Sequence, residues 1–353
     1  MFSIRLKQLT PYVPGEQPQD RRYIKLNTNE NPYPPSPRMQ TFLAAADMDL
    51  LRRYPDPRFT DLCSAIAKRE GVRPDQVFAG NGSDEVLSFA FFAFFDGRNG
   101  PLLFPEHTYS FYPVYCDFYG IPFQRVPLKP DFTIDLKDYA RIESSSGVIY
   151  PNPNAPTGIL TPRPDIRGFL SSYATDRVVI IDEAYIEFGG ESAVMLTAEF
   201  PNLLVVKTLS KTWALAGMRL GFAVGQPDLI QALYTVKDSF NSYPVNALTQ
   251  KLGVLAMEDE VYYQETTQKI IRTRDSFARQ LVRLGWKVMP SSANFLFAGK
   301  PGVSGKAVYD ELKSRGILVR FFNVDGLTDF VRITIGTDRQ MQRLTAELES
   351  MKP

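Results

Sequence analysis

The sequence of 353 residues contains a single histidine, His107. A metal centre built on several histidines is therefore almost excluded, and a Ser-His-Asp triad would have only one possible base. If the chain is an enzyme, lysine, carboxylate or tyrosine side chains should carry out its acid–base chemistry. The sequence predicts no metal site.

Net charge, cysteines and long apolar runs are also scarce. The 40 basic and 39 acidic residues give a formal charge of +1, which favours neither nucleic acid nor an anionic membrane as a partner. Cys63 and Cys116 are interpreted as small buried residues in a reducing compartment. The most apolar stretch, residues 86–95, is too short to span a bilayer, and residues 1–14 lack the apolar core of a signal peptide. We therefore expect a cytoplasmic protein.

Short β-branched runs alternate with helical patterns between about residues 75 and 240. The candidate strands are residues 77–79, 102–104, 148–150, 178–181, 203–206 and 221–224. They are apolar on both faces, which is typical of a parallel sheet covered by helices. The pattern predicts a large α/β domain with a mostly parallel sheet flanked by helices. Its chemistry should lie at the carboxyl ends of the strands.

The pattern changes after Pro244. A long charged helix is expected at about 259–284, followed by strands at 293–297, 317–321 and 330–335 with helices between and after them. This order indicates a smaller α+β domain. The predicted organisation is an N-terminal arm and crossing segment that packs with the small domain, a large domain and a small C-terminal domain, at residues 1–45, 46–245 and 246–353.

Four polar stretches follow predicted strands. They are Gly-Asn-Gly-Ser-Asp-Glu (80–85), Asn-Pro-Asn-Ala-Pro-Thr-Gly (152–158), Asp-Glu-Ala-Tyr (182–185) and Thr-Leu-Ser-Lys-Thr (208–212). A glycine loop that opens a helix can bind an anion through backbone N–H groups and the helix dipole. Taken alone, that loop is more often a plain N-cap, and the Pro-Gly stretch is more often a rigid turn.

Lys211 and Asp182 make the four stretches a coherent site. A carboxylate at the end of a buried strand is costly unless a cation meets it, and a lysine among apolar neighbours suits Schiff-base chemistry. Pyridoxal 5'-phosphate needs an amine for its aldehyde, a carboxylate for its pyridinium nitrogen and donors for its phosphate. The donors would be Ser83, Ser210 and Arg219.

The ordered stretches, ending in Ser-Lys-Thr (210–212) and Ala-Gly-Met-Arg-Leu-Gly (216–221), resemble the aspartate-aminotransferase-fold enzymes. Within them the chain most resembles the histidinol-phosphate aminotransferase family. The segments that carry this likeness are Leu-Thr-Pro-Tyr (9–12), Leu-Asn-Thr-Asn-Glu-Asn-Pro (26–32), Arg-Tyr-Pro-Asp (53–56), Thr-Tyr-Ser (108–110), Ala-Asn-Phe (293–295), Ile-Leu-Val-Arg (317–320) and Val-Arg-Ile-Thr-Ile-Gly (331–336). The resemblance covers nearly the whole chain. It implies that the large domain is a pyridoxal-phosphate-binding domain of fold type I.

The resemblance implies three catalytic residues. Lys211 carries the cofactor as a Schiff base and moves the substrate proton, Asp182 holds the pyridine nitrogen, and Tyr185 donates to the ring's 3-oxygen. The implied cofactor-binding set is Tyr54, Gly82, Ser83, Asp84, Tyr109, Asp182, Tyr185, Thr208, Ser210, Lys211 and Arg219. The implied substrate-binding set is Tyr12, Asn29, Arg320 and Arg332. Tyr54 would reach the site of a neighbouring subunit, so a homodimer is expected.

Two positions depart from the family pattern. Ala155 stands where many relatives have an asparagine that also donates to the 3-oxygen, and His107 stands where a proline usually precedes Thr-Tyr. Neither change removes an essential chemical group. Asn154, the neighbour of Ala155, is a possible replacement donor if its side chain turns inward.

The resemblance implies amino-group transfer between L-histidinol phosphate and 2-oxoglutarate, giving imidazole-acetol phosphate and glutamate in histidine biosynthesis. The alternatives within the same fold are a threonine-phosphate decarboxylase and a broad aromatic amino-acid aminotransferase. A regulatory module that binds the cofactor without turnover is disfavoured, because no spare segment could hold a DNA-binding helix-turn-helix. Small-molecule substrates are thus the expected partners.

Overall fold

Continuous apolar runs in the sequence become the central strands of a large sheet. The structure, a computed structural model, describes residues 2–3 and 5–351. The strands are β1 (Ile24–Lys25), β2 (Val77–Gly80), β3 (Leu102–Pro105), β4 (Phe123–Val126), β5 (Gly147–Pro151), β6 (Val178–Asp182), β7 (Leu203–Thr208), β8 (Gly221–Val224), β9 (Lys287–Val288), β10 (Phe295–Gly299), β11 (Ile317–Leu318), β12 (Arg320–Phe321) and β13 (Val331–Thr334). The helices are α1 (Pro37–Ala45), α2 (Thr60–Glu70), α3 (Ser83–Phe94), α4 (Tyr112–Tyr119), α5 (Leu136–Ala140), α6 (Arg163–Ser172), α7 (Pro227–Phe240), α8 (Ala247–Glu258), α9 (Glu260–Arg283), α10 (Gly305–Ser314) and α11 (Asp338–Ser350).

The large sheet has the strand order β2-β8-β7-β6-β5-β3-β4 in the part of the chain that the structure describes. Strand β8 runs antiparallel to both of its neighbours, and the remaining pairs are parallel. Strands β5 and β7 are buried along their whole length, as expected for a sheet covered on both faces. The predicted mostly parallel α/β sheet is confirmed, and the carboxyl ends of β5, β6 and β7 meet at one edge.

A second core lies around the C-terminal strands. Strands β12-β13-β10-β9 form an antiparallel sheet, and β1 pairs in parallel with β11. Ile270 of α9, Leu312 of α10 and Leu344 of α11 are buried in one hydrophobic core with strands of this sheet. The expected smaller α+β region is therefore present. None of the described helices is both long enough and apolar enough to cross a membrane.

The boundaries between the domains stay a prediction, and two packing observations bear on them. The N-terminal segment joins the small region through β1 and through Leu26, which is buried in the second core. Helix α8 packs on α2, and its Leu252 and Ala256 are buried in the larger core. The first observation accords with an arm that packs with the small domain, and the second relates α8 to the large sheet.

Candidate active site

One cavity of about 300 Å³ lies at the carboxyl edge of the large sheet, between this edge, the N-terminal segment and strands β12 and β13. Polar residues follow β5, β6 and β7 directly, so the sheet brings them to the same edge. The predicted site residues that line the cavity are Tyr12, Asn29, Ser83, Asp84, Tyr109, Asp182, Tyr185, Thr208, Ser210, Lys211, Arg219, Arg320 and Arg332. Gly82 lies beside it, and Tyr54 does not line it.

Lys211 extends into the cavity three residues after the end of β7. Its Nζ donates to the backbone oxygen of Thr28 at 3.2 Å and lies 5.7 Å from the centre of the Tyr185 ring. Asn31 donates through Nδ2 to the backbone oxygens of Lys211 and Thr212, at 3.0 and 3.1 Å. The lysine thus has a fixed backbone, and it forms no ion pair with the described residues. It presents an amine that is free to react with a carbonyl group.

Asp182 ends strand β6 with its side chain buried. Tyr112 donates its hydroxyl to Oδ2 at 3.1 Å, and the backbone N–H of Ala184 donates to Oδ1 at 3.2 Å. Burial raises the pKa of Asp182 from its ordinary 3.8 to about 6, although these two hydrogen bonds and the Lys211 charge oppose the rise. The site therefore contains a buried carboxylate that a cationic ring nitrogen would stabilise.

The first turn of α3 forms an anion cradle. No side chain caps this helix among the described residues, so its first N–H groups remain available to a ligand. Gly82 has φ +87°, and a Cβ there would lie 2.6 Å from Nη2 of Arg219. A Cβ on Gly221 would lie 2.3 Å from the backbone nitrogen of Ser83. Gly221 is therefore needed for β8 to approach the backbone of this turn, and Gly82 suits the positive φ at its start.

Two hydroxyls and one guanidinium complete the cradle. Thr208 donates to Ser210 Oγ at 2.9 Å, which leaves the Ser210 hydroxyl proton for a ligand. Arg219 donates through Nη2 to Asp84 Oδ2 at 2.9 Å, and the Tyr109 hydroxyl donates to Asp84 Oδ1 at 2.8 Å. The Asp84 carboxylate is therefore occupied in holding two side chains, and its backbone N–H is the group it offers to an anion.

Tyr185 lies three residues after Asp182 and faces Lys211. Its ring packs edge-on against Phe295, with centroids 5.1 Å apart. Ala155 lines the same cavity and offers no donor. Asn154 does not replace the missing amide, because its Nδ2 donates to the backbone oxygen of His107 at 3.0 Å and to Thr157.

Arg320 and Arg332 stand opposite each other on β12 and β13. Arg332 is sandwiched between the rings of Phe295 and Phe322, at 5.2 and 5.4 Å, and donates to the backbone oxygen of Asn27 at 3.2 Å. Burial lowers the pKa of its guanidinium, and the Arg320 charge lowers it further. Its buried Nε has no partner among the described residues. Two adjacent cations with an unused donor suit an anionic substrate group.

Tyr54 lies elsewhere on the same chain. Its side chain is 83% exposed and stacks on Tyr243, with ring centroids 4.7 Å apart. It borders a separate surface depression of about 500 Å³ together with Asp49, Arg53 and Lys251. Within one chain, the structure does not bring Tyr54 to the other predicted site residues.

Several residues that position the site were not predicted from the sequence. They are Tyr112, which holds Asp182; Asn31 and Thr28, which fix Lys211; and Phe322, which stacks on Arg332. Thr28 and Asn31 lie in segment 26–32, which carries the family likeness, so this motif was a local signal for both of them. The others act through contacts between distant segments, which no spacing in the sequence reveals.

These residues fit pyridoxal 5'-phosphate. Lys211 offers an amine, the buried Asp182 has a raised pKa and suits a cationic partner, and the uncapped first turn of α3 offers backbone N–H groups to an anion. The three features face one cavity. They meet the three requirements that the cofactor places on a protein.

Comparison with known proteins identifies the class. A family model described as aminotransferase class I and II matches residues 21–348, so the chain belongs to this family. Its curated relatives include the histidinol-phosphate aminotransferase of Syntrophus aciditrophicus (strain SB), 57% identical over 99% of this chain and 98% of the relative. Another is the histidinol-phosphate aminotransferase of Aromatoleum aromaticum (strain DSM 19018 / LMG 30748 / EbN1), 51% identical over 97% and 96%. The resemblance seen in the sequence is confirmed.

The fold of the chain also matches that of a solved structure from a protein with the same name as these relatives. The histidinol-phosphate aminotransferase of Sinorhizobium meliloti, solved in complex with pyridoxal-5'-phosphate, superposes with a TM-score of 0.89. The match covers 99% of this chain and 98% of the other, at 24% identity. This likeness confirms the fold.

Proposed function

We propose that the chain transfers an amino group between L-histidinol phosphate and 2-oxoglutarate, with pyridoxal 5'-phosphate held in the cavity. One observation carries this proposal: an amine, a buried carboxylate and an anion cradle face the same space. The curated relatives at 57% and 51% identity are named for this substrate. The decarboxylase, the broad aromatic aminotransferase and the module without turnover are less supported by these relatives.

Each group of residues at the sheet edge has a distinct role in holding the cofactor and moving protons. When bound, the cofactor supplies an aldehyde that condenses with amines and a protonated ring that accepts the electrons of a broken C–H bond. Lys211 holds it through Nζ and, once released, moves a proton at the substrate carbon. Asp182 keeps the ring nitrogen protonated, and the first turn of α3 with Ser210 and Arg219 binds the phosphate.

The substrate end of the cavity lies at the two small-domain arginines. Both Arg320 and Arg332 line the cavity, and their charges suit the phosphate of one substrate and the carboxylates of the other. Tyr12 closes this end, where its ring packs on Phe111 with centroids 4.9 Å apart. The N-terminal segment is held over the same end because Arg320 donates to the backbone oxygens of Val13 and Pro14, each at 3.5 Å.

Arg320→Ala and Arg332→Ala should each slow the reaction of histidinol phosphate more than that of histidinol. Loss of a charge-assisted bond to an anion costs on the order of 1.5–3 kcal/mol, or roughly ten- to a hundredfold in kcat/KM. Arg283→Ala, on the exposed face of α9, is the control and should change neither rate. The measurement is kcat/KM of each variant with histidinol phosphate and with histidinol. If both reactions slowed equally, these arginines would not bind the substrate phosphate.

The active form is proposed to be a homodimer in which Tyr54 reaches the cradle of the second copy. Tyr54 and Tyr243 join two segments that also expose the apolar side chains of Met48, Leu51 and Phe240. Such a surface suits burial against another chain. The proposed site is thus built from two chains, and a cytoplasmic location, as for a biosynthetic enzyme, stays a prediction.

A mixture of Tyr54→Ala and Lys211→Ala subunits should be more active than either variant alone. If the sites are shared, one site of each mixed dimer carries both changes and the other carries neither. The measurement is activity after the subunits are exchanged, with light scattering to confirm dimers. If Tyr54 served its own chain, every mixed site would carry one change and the mixture would gain no activity.

A further inference from the structure

Asn29 is the centre of a buried hydrogen-bond network beside the catalytic lysine. It is 1% exposed, and its Nδ2 donates to the hydroxyl of Tyr185 at 2.9 Å. Its Oδ1 accepts from Thr334 Oγ1 at 3.0 Å, and its own backbone N–H donates to the same hydroxyl oxygen at 3.0 Å. Its backbone oxygen accepts from Asn294 Nδ2 at 3.0 Å. Each polar atom of Asn29 thus has a partner within the protein, and the second hydrogen of Nδ2 stays available for the predicted substrate contact.

The Thr334 hydroxyl determines which way the Asn29 amide points. This hydroxyl accepts from the backbone N–H of Asn29 and donates to Oδ1. If the amide were turned over, Oδ1 would face Tyr185, and the Thr334 proton would have no acceptor among the described residues. A buried donor left without a partner costs about 1–3 kcal/mol. The observed orientation, with Nδ2 toward Tyr185, is therefore the favoured one.

This orientation has a consequence for the Tyr185 proton. A phenol has one hydrogen to donate and accepts through its oxygen. Because Asn29 fills an acceptor position of the Tyr185 oxygen, the hydroxyl proton is directed away from Asn29. Tyr185 lines the cavity with Lys211, and Ala155 beside it has no donor. An incoming hydrogen bond also polarises the hydroxyl and makes it a stronger donor.

We propose that Asn29 is a positioning residue that turns the Tyr185 proton into the cavity, toward the cofactor's ring oxygen. The inference rests on the proposed function, since it requires the cofactor to occupy this cavity. The contact joins three parts of the chain: Asn29 from the N-terminal segment, Thr334 from β13 and Tyr185 from the loop after β6. Docking of the small region on the large sheet thereby sets how well Tyr185 can donate.

The test is a pH titration of the visible absorbance of the bound cofactor. A donor to the ring oxygen stabilises its anionic form and lowers the pKa at which the bound cofactor loses its proton. Asn29→Gly removes the amide without backbone strain, because Asn29 has φ +56° and glycine adopts that conformation freely. Loss of one hydrogen bond of ordinary strength should raise the observed pKa by about 0.4 to 1.

A double-mutant cycle shows whether Asn29 acts through Tyr185. Tyr185→Phe should raise the pKa more than Asn29→Gly does, and the Asn29→Gly change should add almost nothing once Tyr185→Phe is present. Thr334→Val removes the hydroxyl that orients the Asn29 amide but keeps the amide itself. It should therefore raise the pKa less than Asn29→Gly does. Asn294→Ala is the control, since Asn294 donates to the backbone oxygen of Asn29 and has no hydrogen bond to Tyr185 among the described residues; it should leave the pKa unchanged.

Each contrary result overturns the inference in a recognisable way. A lower pKa in Asn29→Gly would mean that the amide is turned over and had withheld the Tyr185 proton. An unchanged pKa, or an equal rise with and without Tyr185→Phe, would mean that Asn29 does not act through Tyr185. If the wild-type protein showed no visible cofactor band, or if the band remained in Lys211→Ala, the proposed function would be contradicted, and this inference with it.

Discussion

Lys211→Ala should abolish the visible absorbance of the bound cofactor and lower turnover by more than about 10³-fold. The change removes both the covalent link to the cofactor and the group that moves the proton. The fold should survive, since Lys211 forms no ion pair with the described residues and gives up one 3.2 Å bond to Thr28 and its contact with the Tyr185 ring. Absorbance spectra and single-turnover rates of the reconstituted protein measure both effects.

Two controls separate loss of chemistry from loss of structure. Lys306→Ala removes an exposed lysine on α10 that pairs with Asp310 and should leave the spectrum and the turnover unchanged. Added methylamine should partly restore turnover to Lys211→Ala, because a small free amine can enter the emptied space and move the proton. Near-normal transamination by Lys211→Ala without an added amine would refute the role of this lysine.

Asp182→Asn should retain cofactor but lose roughly 10²- to 10³-fold in turnover, the usual effect of removing one electrostatic group from an active site. The amide has no charge to keep the ring nitrogen protonated, so electrons accumulate there less readily. Tyr112 can still contact the side chain, since its hydroxyl can accept from an amide nitrogen as well as donate. Near-normal turnover would mean that the carboxylate has a structural role only.

The same variant should be more stable than the wild type when both lack the cofactor. Burial raises the pKa of Asp182 from 3.8 to about 6 in the folded protein, so ionisation of this carboxylate opposes folding increasingly between these two pH values and fully above the higher one. The expected gain for Asp182→Asn is about 1–3 kcal/mol at pH 8. It should shrink as the pH falls from 6 toward 4, where the wild-type group also becomes neutral. Thermal unfolding at several pH values measures this difference.

The large sheet was readable from the sequence because its buried strands are continuous apolar runs. The expected strands at 77–79, 102–104, 148–150, 178–181, 203–206 and 221–224 all appear, as β2, β3, β5, β6, β7 and β8. Strand β4 was missed because it lies at the sheet edge, where Gln124 and Arg125 are exposed and interrupt the apolar pattern. A continuous apolar run marks a strand that is buried on both faces, and an edge strand is only partly buried.

The C-terminal region was predicted less completely. The expected single strand at 317–321 is two short strands, β11 and β12, which belong to different sheets. Strands β1 and β9 have two residues each, too few for any periodicity to show. The long helix was expected at 259–284 and is found at Glu260–Arg283, because its apolar stripe persists over many turns.

The candidate site was predictable where chemistry is concentrated in short loops after strands. The loops with Asp182 and Lys211 follow neighbouring strands, and parallel pairing alone brings their ends together. The contact between Tyr112 and Asp182, and that between Asn29 and Tyr185, join residues 70 and 156 positions apart. Such contacts depend on how helices and the N-terminal segment pack, which the local sequence does not encode. Tyr54 remains a prediction, since its proposed role needs a second chain.

The central claim is tested most directly by a half-reaction of the purified, cofactor-loaded protein with L-histidinol phosphate alone. Without an acceptor, each site can turn over only once. We expect the visible absorbance to disappear as the amino group passes to the cofactor, with one imidazole-acetol phosphate formed per site, and to return when 2-oxoglutarate is added. Persistence of the visible band with histidinol phosphate, or release of carbon dioxide from threonine phosphate in its place, would contradict the account.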